Sequence, residues 1–271
     1  MNSNNPEQQK SIDVNDPELD VFDDVEEVHE SGRKVRHRGV YLLPNLFTTG
    51  ALFCGFYAIV SGMDGNFGHA AVAIFLAMLL DGMDGRVARM TNTQSAFGEQ
   101  YDSLADMVSF GVAPALVMFS WVLQDLGRWG WAAAFIYTAC AALRLARFNT
   151  QIGVVDKKYF IGLASPMAAA IIAATVLTVS NYQPETVWAK SGLAILTAFV
   201  GLSMVSNFRY TSFKSVDFRG RVPFGFMSLV VMAFALLIIY REEGLLAISV
   251  LYGLSAPAIW VLRRLGLVKG E

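Results

Sequence analysis

The sequence is short of what a water-exposed surface needs. Only 16% of its 271 residues are charged, against 54% hydrophobic, where about a quarter charged is usual for a soluble domain. Histidine occurs three times and cysteine twice. Cys54 and Cys140 each lie inside an apolar run, where a free thiol behaves as a small hydrophobe. Their spacing fits neither a zinc nor a redox motif, so a disulfide scaffold is excluded. No short apolar core with a small-residue cleavage site follows Met1. A cleaved secretory signal is therefore not expected, and the first spanning helix is expected to anchor the chain. No nucleic-acid partner is expected.

The charges that are present are unevenly placed. Residues 1–32 hold ten acids and one base, Lys10, for −9, and the remaining twenty bases and thirteen acids give residues 33–271 a charge of +7. The acidic stretch is poor in aromatics and cannot bury enough apolar surface to order itself. The expected organisation is an acidic, disordered cytoplasmic tail over 1–32 and a transmembrane domain over 33–271, entered through the basic collar Arg33, Lys34, Arg36 and Arg38.

A membrane helix needs roughly 20 mostly apolar residues to cross a hydrocarbon layer of about 30 Å. Runs of that kind lie near 43–62, 68–90, 98–123, 129–149, 165–183, 190–208, 223–241 and 244–262, and the stretches 165–184, 191–208 and 222–240 carry no charge. The expected fold is an all-α, polytopic membrane bundle of about eight transmembrane helices, with turns at Gly65–Gly68 and Arg241–Gly244. Placing residue 1 in the cytoplasm sorts the bases of the loops and helix ends 17 to 3 in favour of that side, as the positive-inside rule requires. Both termini are then cytoplasmic. The far side receives only Arg128, Lys190 and Arg241.

The second and third spans break the apolar pattern with Asp81, Asp84, Asp102 and Asp106. Ionisable groups at membrane depth are costly and mark a functional site by default. At about 100° per residue, Asp81, Asp84, Gly85 and Ala88 share one stripe of the second helix, and Gly98, Asp102 and Asp106 share one of the third. Both stripes fall at the cytoplasmic ends of neighbouring helices joined by the turn at 90–97, so the two faces can meet. Gly85, Ala88 and Gly98 let a backbone or a ligand approach closely. Four converging carboxylates repel, and Arg86 and Arg89 are too few to offset them. Hard divalent cations, Mg²⁺, Mn²⁺ or Ca²⁺, suit oxygen donors, whereas zinc is disfavoured because neither stripe carries Cys or His. Two such ions about 4 Å apart would suit phosphoryl transfer. The competing structural reading has the acids paired with basic side chains along a polar helix seam. A cation or proton carrier is a second alternative, opposed by the absence of an acid chain through the later spans.

The residues Asp81-x2-Asp84-Gly85-x2-Ala88-Arg89-x8-Gly98-x3-Asp102-x3-Asp106 resemble the full signature of the CDP-alcohol phosphatidyltransferases. The resemblance covers about 40–265. It implies an integral membrane enzyme with a six-helix core, here extended by two, usually paired as a homodimer. Such enzymes move a phosphatidyl group from CDP-diacylglycerol to an alcohol and release CMP. Carried over by position, Asp81, Asp84, Asp102 and Asp106 would bind two divalent cations, Mg²⁺ or Mn²⁺, with Asp106 also the general base. Gly85, Ala88 and Gly98 would leave room for the nucleotide, and Arg89 would support the site. Pro44-Asn45-Leu46-Phe47-Thr48 resembles the family's Pro-Asn-x-x-Thr entry, where Asn45 and Thr48 would bond the CDP part. Alternatively, those two side chains cap or line the first helix.

Three segments resemble the serine-using branch of that family, the phosphatidylserine synthases. They are Arg144-Leu-Ala-Arg147-Phe148-Asn149, Phe160-Ile-Gly162-Leu163-Ala164-Ser165-Pro166, and Pro223-Phe224-Gly225-Phe226-Met227-Ser228, the second departing from the branch's usual Pro at Ala164. Arg144, Arg147 and Asn149 are therefore candidates for binding the carboxylate of L-serine or the lipid phosphate, charge-assisted in the case of the arginines. Positive-inside bias is the alternative for the two arginines. Lys157, Lys158 and the basic loop from Arg209 to Arg221 are expected to face lipid headgroups. The expected reaction is transfer to serine, with Asp106 taking the hydroxyl proton and His37 as a rival base. Glycerol 3-phosphate or inositol phosphate is the alternative acceptor. The expected location is the bacterial inner membrane, with the site facing the cytoplasm.

Overall fold

The computed structural model describes residues 28–30, 33–35, 42–91, 96–151, 159–182, 184–211 and 241–264. The chain divides into units 1–40 and 41–271. In the first unit, β1 (Val28–Glu30) pairs antiparallel with β2 (Arg33–Val35). The rest of the anticipated tail, the anticipated seventh span and the segment from Pro223 to Ser228 lie outside the described residues. So do Lys157, Lys158, Lys214, Arg219, Arg221 and His37.

The second unit is helical. Its helices are α1 (Leu42–Met63), α2 (Phe67–Thr91), α3 (Ala96–Asp106), α4 (Ala113–Trp121), α5 (Arg128–Gln151), α6 (Ser165–Val179), α7 (Val187–Val205) and α8 (Arg241–Arg264). They fall on seven of the eight anticipated ranges. Among the described residues, Asn45–Met63, Phe97–Trp121 and Val187–Val205 are long and apolar enough to cross a membrane. The anticipated turn at 241–244 instead lies inside α8, because Arg and Glu are good helix formers and their polarity alone does not break a helix. Helix α7 starts three residues before the anticipated 190, where the Thr186 side chain caps it by accepting from Ala189 N.

Packing follows side-chain size. Helix α6 buries Ala168, Ala169, Ala170, Ala173 and Ala174 together with Ile171, Ile172 and Val176. A helix apolar on every side belongs in the interior, and α6 packs against both α2 and α8. Helix α1 lies along α2, and α5 along α7. Trp129 and Trp131 open α5, and Trp188 opens α7; all three are strongly exposed, as aromatic side chains at a membrane–water boundary are. The opposite end of α5 carries Arg144 and Arg147.

Two features position the site. The third span is not one α-helix: Met107–Val112 between α3 and α4 is a π-helical turn, in which Ala113 N–H reaches Val108 O, five residues back. Pro114 explains it. A proline inside a helix offers no N–H to the carbonyl four residues earlier and crowds it with its ring; here that carbonyl is Phe110's. The π-turn also packs tightly on α1. A Cβ on Gly55 would stand 2.5 Å from Ser109 Oγ and 2.7 Å from Ser109 Cα, so only glycine permits this approach.

The second feature is the loop before α6. Strand β3 (Tyr159–Ile161) pairs antiparallel with β4 (Arg209–Thr211), which follows α7. Next to β3, Gly162 adopts φ 81° and donates its N–H to Phe208 O at 2.9 Å, while Leu163 N donates to Ser203 O at 3.0 Å. The glycine-containing segment noted in the sequence thus pins the start of α6 to the end of α7.

Candidate functional site

Helix α2 presents Asp81 and Asp84 one turn apart near its C-terminal end, and α3 presents Asp102 and Asp106 one turn apart. The structure brings three of them together: one carboxylate oxygen each from Asp81, Asp102 and Asp106 lie within 4.8 Å of one another. Asp84 stands beside them and is buried. Its Oδ2 accepts from Thr48 Oγ1 at 2.9 Å, and its Oδ1 accepts from Gly85 N–H.

The electrostatics of this group suit a cation. At an effective dielectric near 20, two ionised carboxylates at such a separation repel by about 3 kcal/mol. Arg86 and Arg89 are exposed. Arg144 of α5 lies within electrostatic reach of Asp106, and one guanidinium cannot offset four acids. The side-chain oxygen Oδ1 of Asp102 is buried without a hydrogen-bond partner, a costly condition for an anionic acceptor. An all-oxygen donor set with one orphaned oxygen fits a hard divalent ion. These residues can hold such a cation.

Around the acids, the small residues behave differently from one another. A Cβ built on Gly85 meets nothing within 4 Å, so space is open beside Asp84. Ala88 and Gly98 are half-buried, and Arg89 is exposed. On α1, Thr48 is engaged with Asp84, and Asn45, half-buried, lies one turn earlier on the same helix.

The basic segment of α5 separates into distinct environments. Arg144 donates through Nη1 to Ser165 Oγ, at the first turn of α6, and lies within electrostatic reach of Asp106. Arg147 instead reaches the end of α7, donating to Val205 O and Asn207 Oδ1, each at 3.4 Å. A cation at a helix C-terminus is favoured by the carbonyl dipoles there. Asn149 donates through Nδ2 to Ser103 Oγ at 3.0 Å, tying α5 to α3 beside Asp102.

The sequence did not single out Ser103, Ser109 or Tyr137, and Ser165 figured only within the Phe160–Pro166 segment. The only available signal was Pro114, four residues after Phe110 and eight after Asp106. A proline at that position in an otherwise helical run announces a distorted turn.

Comparison with known proteins identifies the family. The profile of the family described as CDP-alcohol phosphatidyltransferase matches residues 41–203. The chain is 38% identical over 218 residues to the CDP-diacylglycerol–serine O-phosphatidyltransferase of Helicobacter pylori strain J99, covering 79% of this chain and 88% of the relative. A protein of the same name from Bacillus subtilis is 36% identical over 172 residues, 64% of this chain and 91% of the relative. One from Methanocaldococcus jannaschii is 35% identical over 160 residues, 59% of this chain and 72% of the relative.

Proposed function

The chain belongs to the CDP-alcohol phosphatidyltransferase family, an integral membrane enzyme that transfers a phosphatidyl group to an alcohol, and from that premise we propose that its acceptor is L-serine. The products are phosphatidylserine and CMP. The observation that carries the catalytic reading is the convergence of Asp81, Asp102 and Asp106 from two helices, with Asp102 Oδ1 left without a partner. The serine reading is supported by the name of the relatives at 35–38% identity and by the guanidinium of Arg144 within electrostatic reach of Asp106.

Asp81, Asp102 and Asp106 would hold one divalent cation, and Asp84 beside them supplies the further carboxylate that a second would need. Mg²⁺ or Mn²⁺ bound there would neutralise charge on the pyrophosphate of CDP-diacylglycerol. The open space beside Gly85 takes the nucleotide, with Ala88 and Gly98 leaving room for it, Arg89 supporting the site, and Asn45 and Thr48 bonding its CDP part. Thr48 orients Asp84. Arg144, steadied by Ser165, binds the serine carboxylate or the lipid phosphate by charge-assisted bonds.

Asp106 accepts the proton of the serine hydroxyl as its oxygen attacks the lipid-side phosphorus in line. The phosphorus–oxygen bond to CMP breaks, and CMP departs with the electron pair. A carboxylate is a weak base, but it need act only as the proton leaves in the transition state. The site on this reading faces the cytoplasm at a bacterial inner membrane, a sidedness supported by the distribution of bases, and the family resemblance implies a homodimer.

The test is CMP release by the purified chain in bilayer nanodiscs supplied with CDP-diacylglycerol, Mn²⁺ and labelled serine. Release that depends on serine, with label entering lipid, is the expected result. Release with glycerol 3-phosphate or an inositol phosphate alone would overturn the acceptor, and no release with any alcohol would overturn the reaction.

A further inference from the structure

The π-turn begins where the acid cluster ends: α3 closes at Asp106 and Met107 opens the wider turn. A π-turn holds about one more residue than an α-turn. Residues before it are therefore rotated against those after it by about one residue step, or ~100°. The second half of the span is locked in the core, with Phe110, Ala113, Val117 and Met118 fully buried. The direction in which Asp106 points is thus set by the register of Met107–Val112.

A widened turn needs outside partners, because its carbonyls lose their places in the helical ladder and a buried carbonyl without a donor is costly. Pro114 cannot serve Phe110 O. Tyr137 of α5 does so, donating its hydroxyl at 3.0 Å, and its side chain is fully buried. Thr138 Oγ1 donates to Gly111 O at 3.4 Å, and Ser109 Oγ donates to Ala51 O at 3.0 Å on the α1 side. Of these three clamps, Tyr137 serves the carbonyl that Pro114 leaves open. A buried tyrosine needs a partner for its hydroxyl, and here that partner is backbone one turn beyond Asp106.

We propose that Tyr137 is a positioning residue for the transfer reaction: by holding the Phe110 carbonyl it locks the π-turn, and so fixes the face that Asp106 turns toward Asp81 and Asp102. This rests on the reading of Asp106 as the base. Among the described residues, the Tyr137 hydroxyl bonds to Phe110 O and to none of the four acids. The alternative is that Tyr137 only stabilises the pairing of α5 with the third span.

Pro114 separates the two. Pro114→Ala restores an N–H that can serve Phe110 O and lets the helix continue in α register, which favours stability while rotating Asp106. The experiment compares Tyr137→Phe, Pro114→Ala and the double variant in nanodiscs, with kcat, KM for CDP-diacylglycerol, thermal midpoint and Mn²⁺ affinity of the protein without lipid substrate. A misplacement of about 1 Å costs up to a hundredfold in rate, so kcat of Tyr137→Phe is expected to fall roughly ten- to hundredfold with KM little changed. Pro114→Ala should lose kcat similarly while its thermal midpoint holds or rises. Mn²⁺ affinity should fall in both, and the double variant should be no worse than either, as coupled sites behave.

Wild-type kcat and Mn²⁺ affinity in Pro114→Ala would overturn the proposal, even where Tyr137→Phe fails to fold. So would wild-type values in a folded Tyr137→Phe. The comparison uses whichever alcohol the wild-type chain accepts, so failure of serine as acceptor leaves it intact. An active Asp106→Asn would instead sink the base assignment, and Mn²⁺ affinity would still report on the turn.

Discussion

Thr48 of α1 donates its hydroxyl to Oδ2 of Asp84 on α2 at 2.9 Å, with both residues buried. On the proposed reading, a polar side chain that holds a metal-binding carboxylate in one orientation acts on the reaction through that carboxylate. Groups of this kind cost about ten- to a hundredfold in metal affinity or activity when removed. Thr48→Val keeps the shape and loses the donor, so kcat/KM should fall within that range. Thr48→Ser should recover most of it. Equal activity in the Val variant would leave Thr48 a merely structural role.

Asp106→Asn removes the proposed proton acceptor but preserves volume. General-base contributions run to about 10²–10⁴-fold, and turnover should fall by that order while CDP-diacylglycerol still binds, as measured by equilibrium binding to the purified variant. Full turnover would transfer the base role to another group.

Chelation should stop the enzyme. EDTA is expected to abolish CMP release and added Mn²⁺ or Mg²⁺ to restore it. Asp102→Asn, altering the residue with the unpartnered buried oxygen, should raise the Mn²⁺ concentration needed for half-maximal activity by about tenfold or more. Turnover that resists chelation would remove cations from the scheme.

Arg144 and Arg147 should behave unlike each other. Arg144 lies within electrostatic reach of Asp106, whereas Arg147 bonds to the end of α7. Arg144→Gln is expected to raise the serine KM about tenfold or more, given the strength of charge-assisted bonds. Arg147→Gln should lower the thermal midpoint while leaving serine KM nearly unchanged. The reverse pattern would move acceptor recognition to Arg147.

Gly162→Ala should damage the fold rather than the chemistry. At φ 81° a Cβ would stand 2.2 Å from Met204 O, and a non-glycine residue in that conformation costs on the order of 1–3 kcal/mol. A lower thermal midpoint is expected, with KM for both substrates preserved in the protein that remains folded. An unchanged midpoint would show that the loop relaxes freely.

Much of the site was legible beforehand because its spacing is local. Asp81 and Asp84, and Asp102 and Asp106, recur at helical intervals, so each pair had to share a face whatever the rest of the chain did. Thr48 was expected near the site only through the resemblance of Pro44–Thr48 to the family's entry motif. That its hydroxyl goes to Asp84 was not legible, since the two are 36 residues apart. The adjacent arginines of α5 looked equivalent, one turn apart at a basic helix end, and their separation into a site-facing and a helix-capping side chain depends on where α7 ends. The turn expected at 241–244 failed because polarity at a membrane surface resembles a break.

What the sequence by itself determined is which residues lie on one face of one helix, and which stretches are apolar enough to cross a bilayer, because both follow from the helical repeat and composition along the chain. What only the tertiary structure decided is partnership between helices: Thr48 with Asp84, Arg144 with Ser165, Tyr137 with the Phe110 carbonyl. Those choices turn on how closely two backbones approach, and here that approach is governed by a missing side chain at Gly55, a left-handed turn at Gly162 and a missing N–H at Pro114. Each is visible as a letter, but its consequence appears only where another helix lies against it.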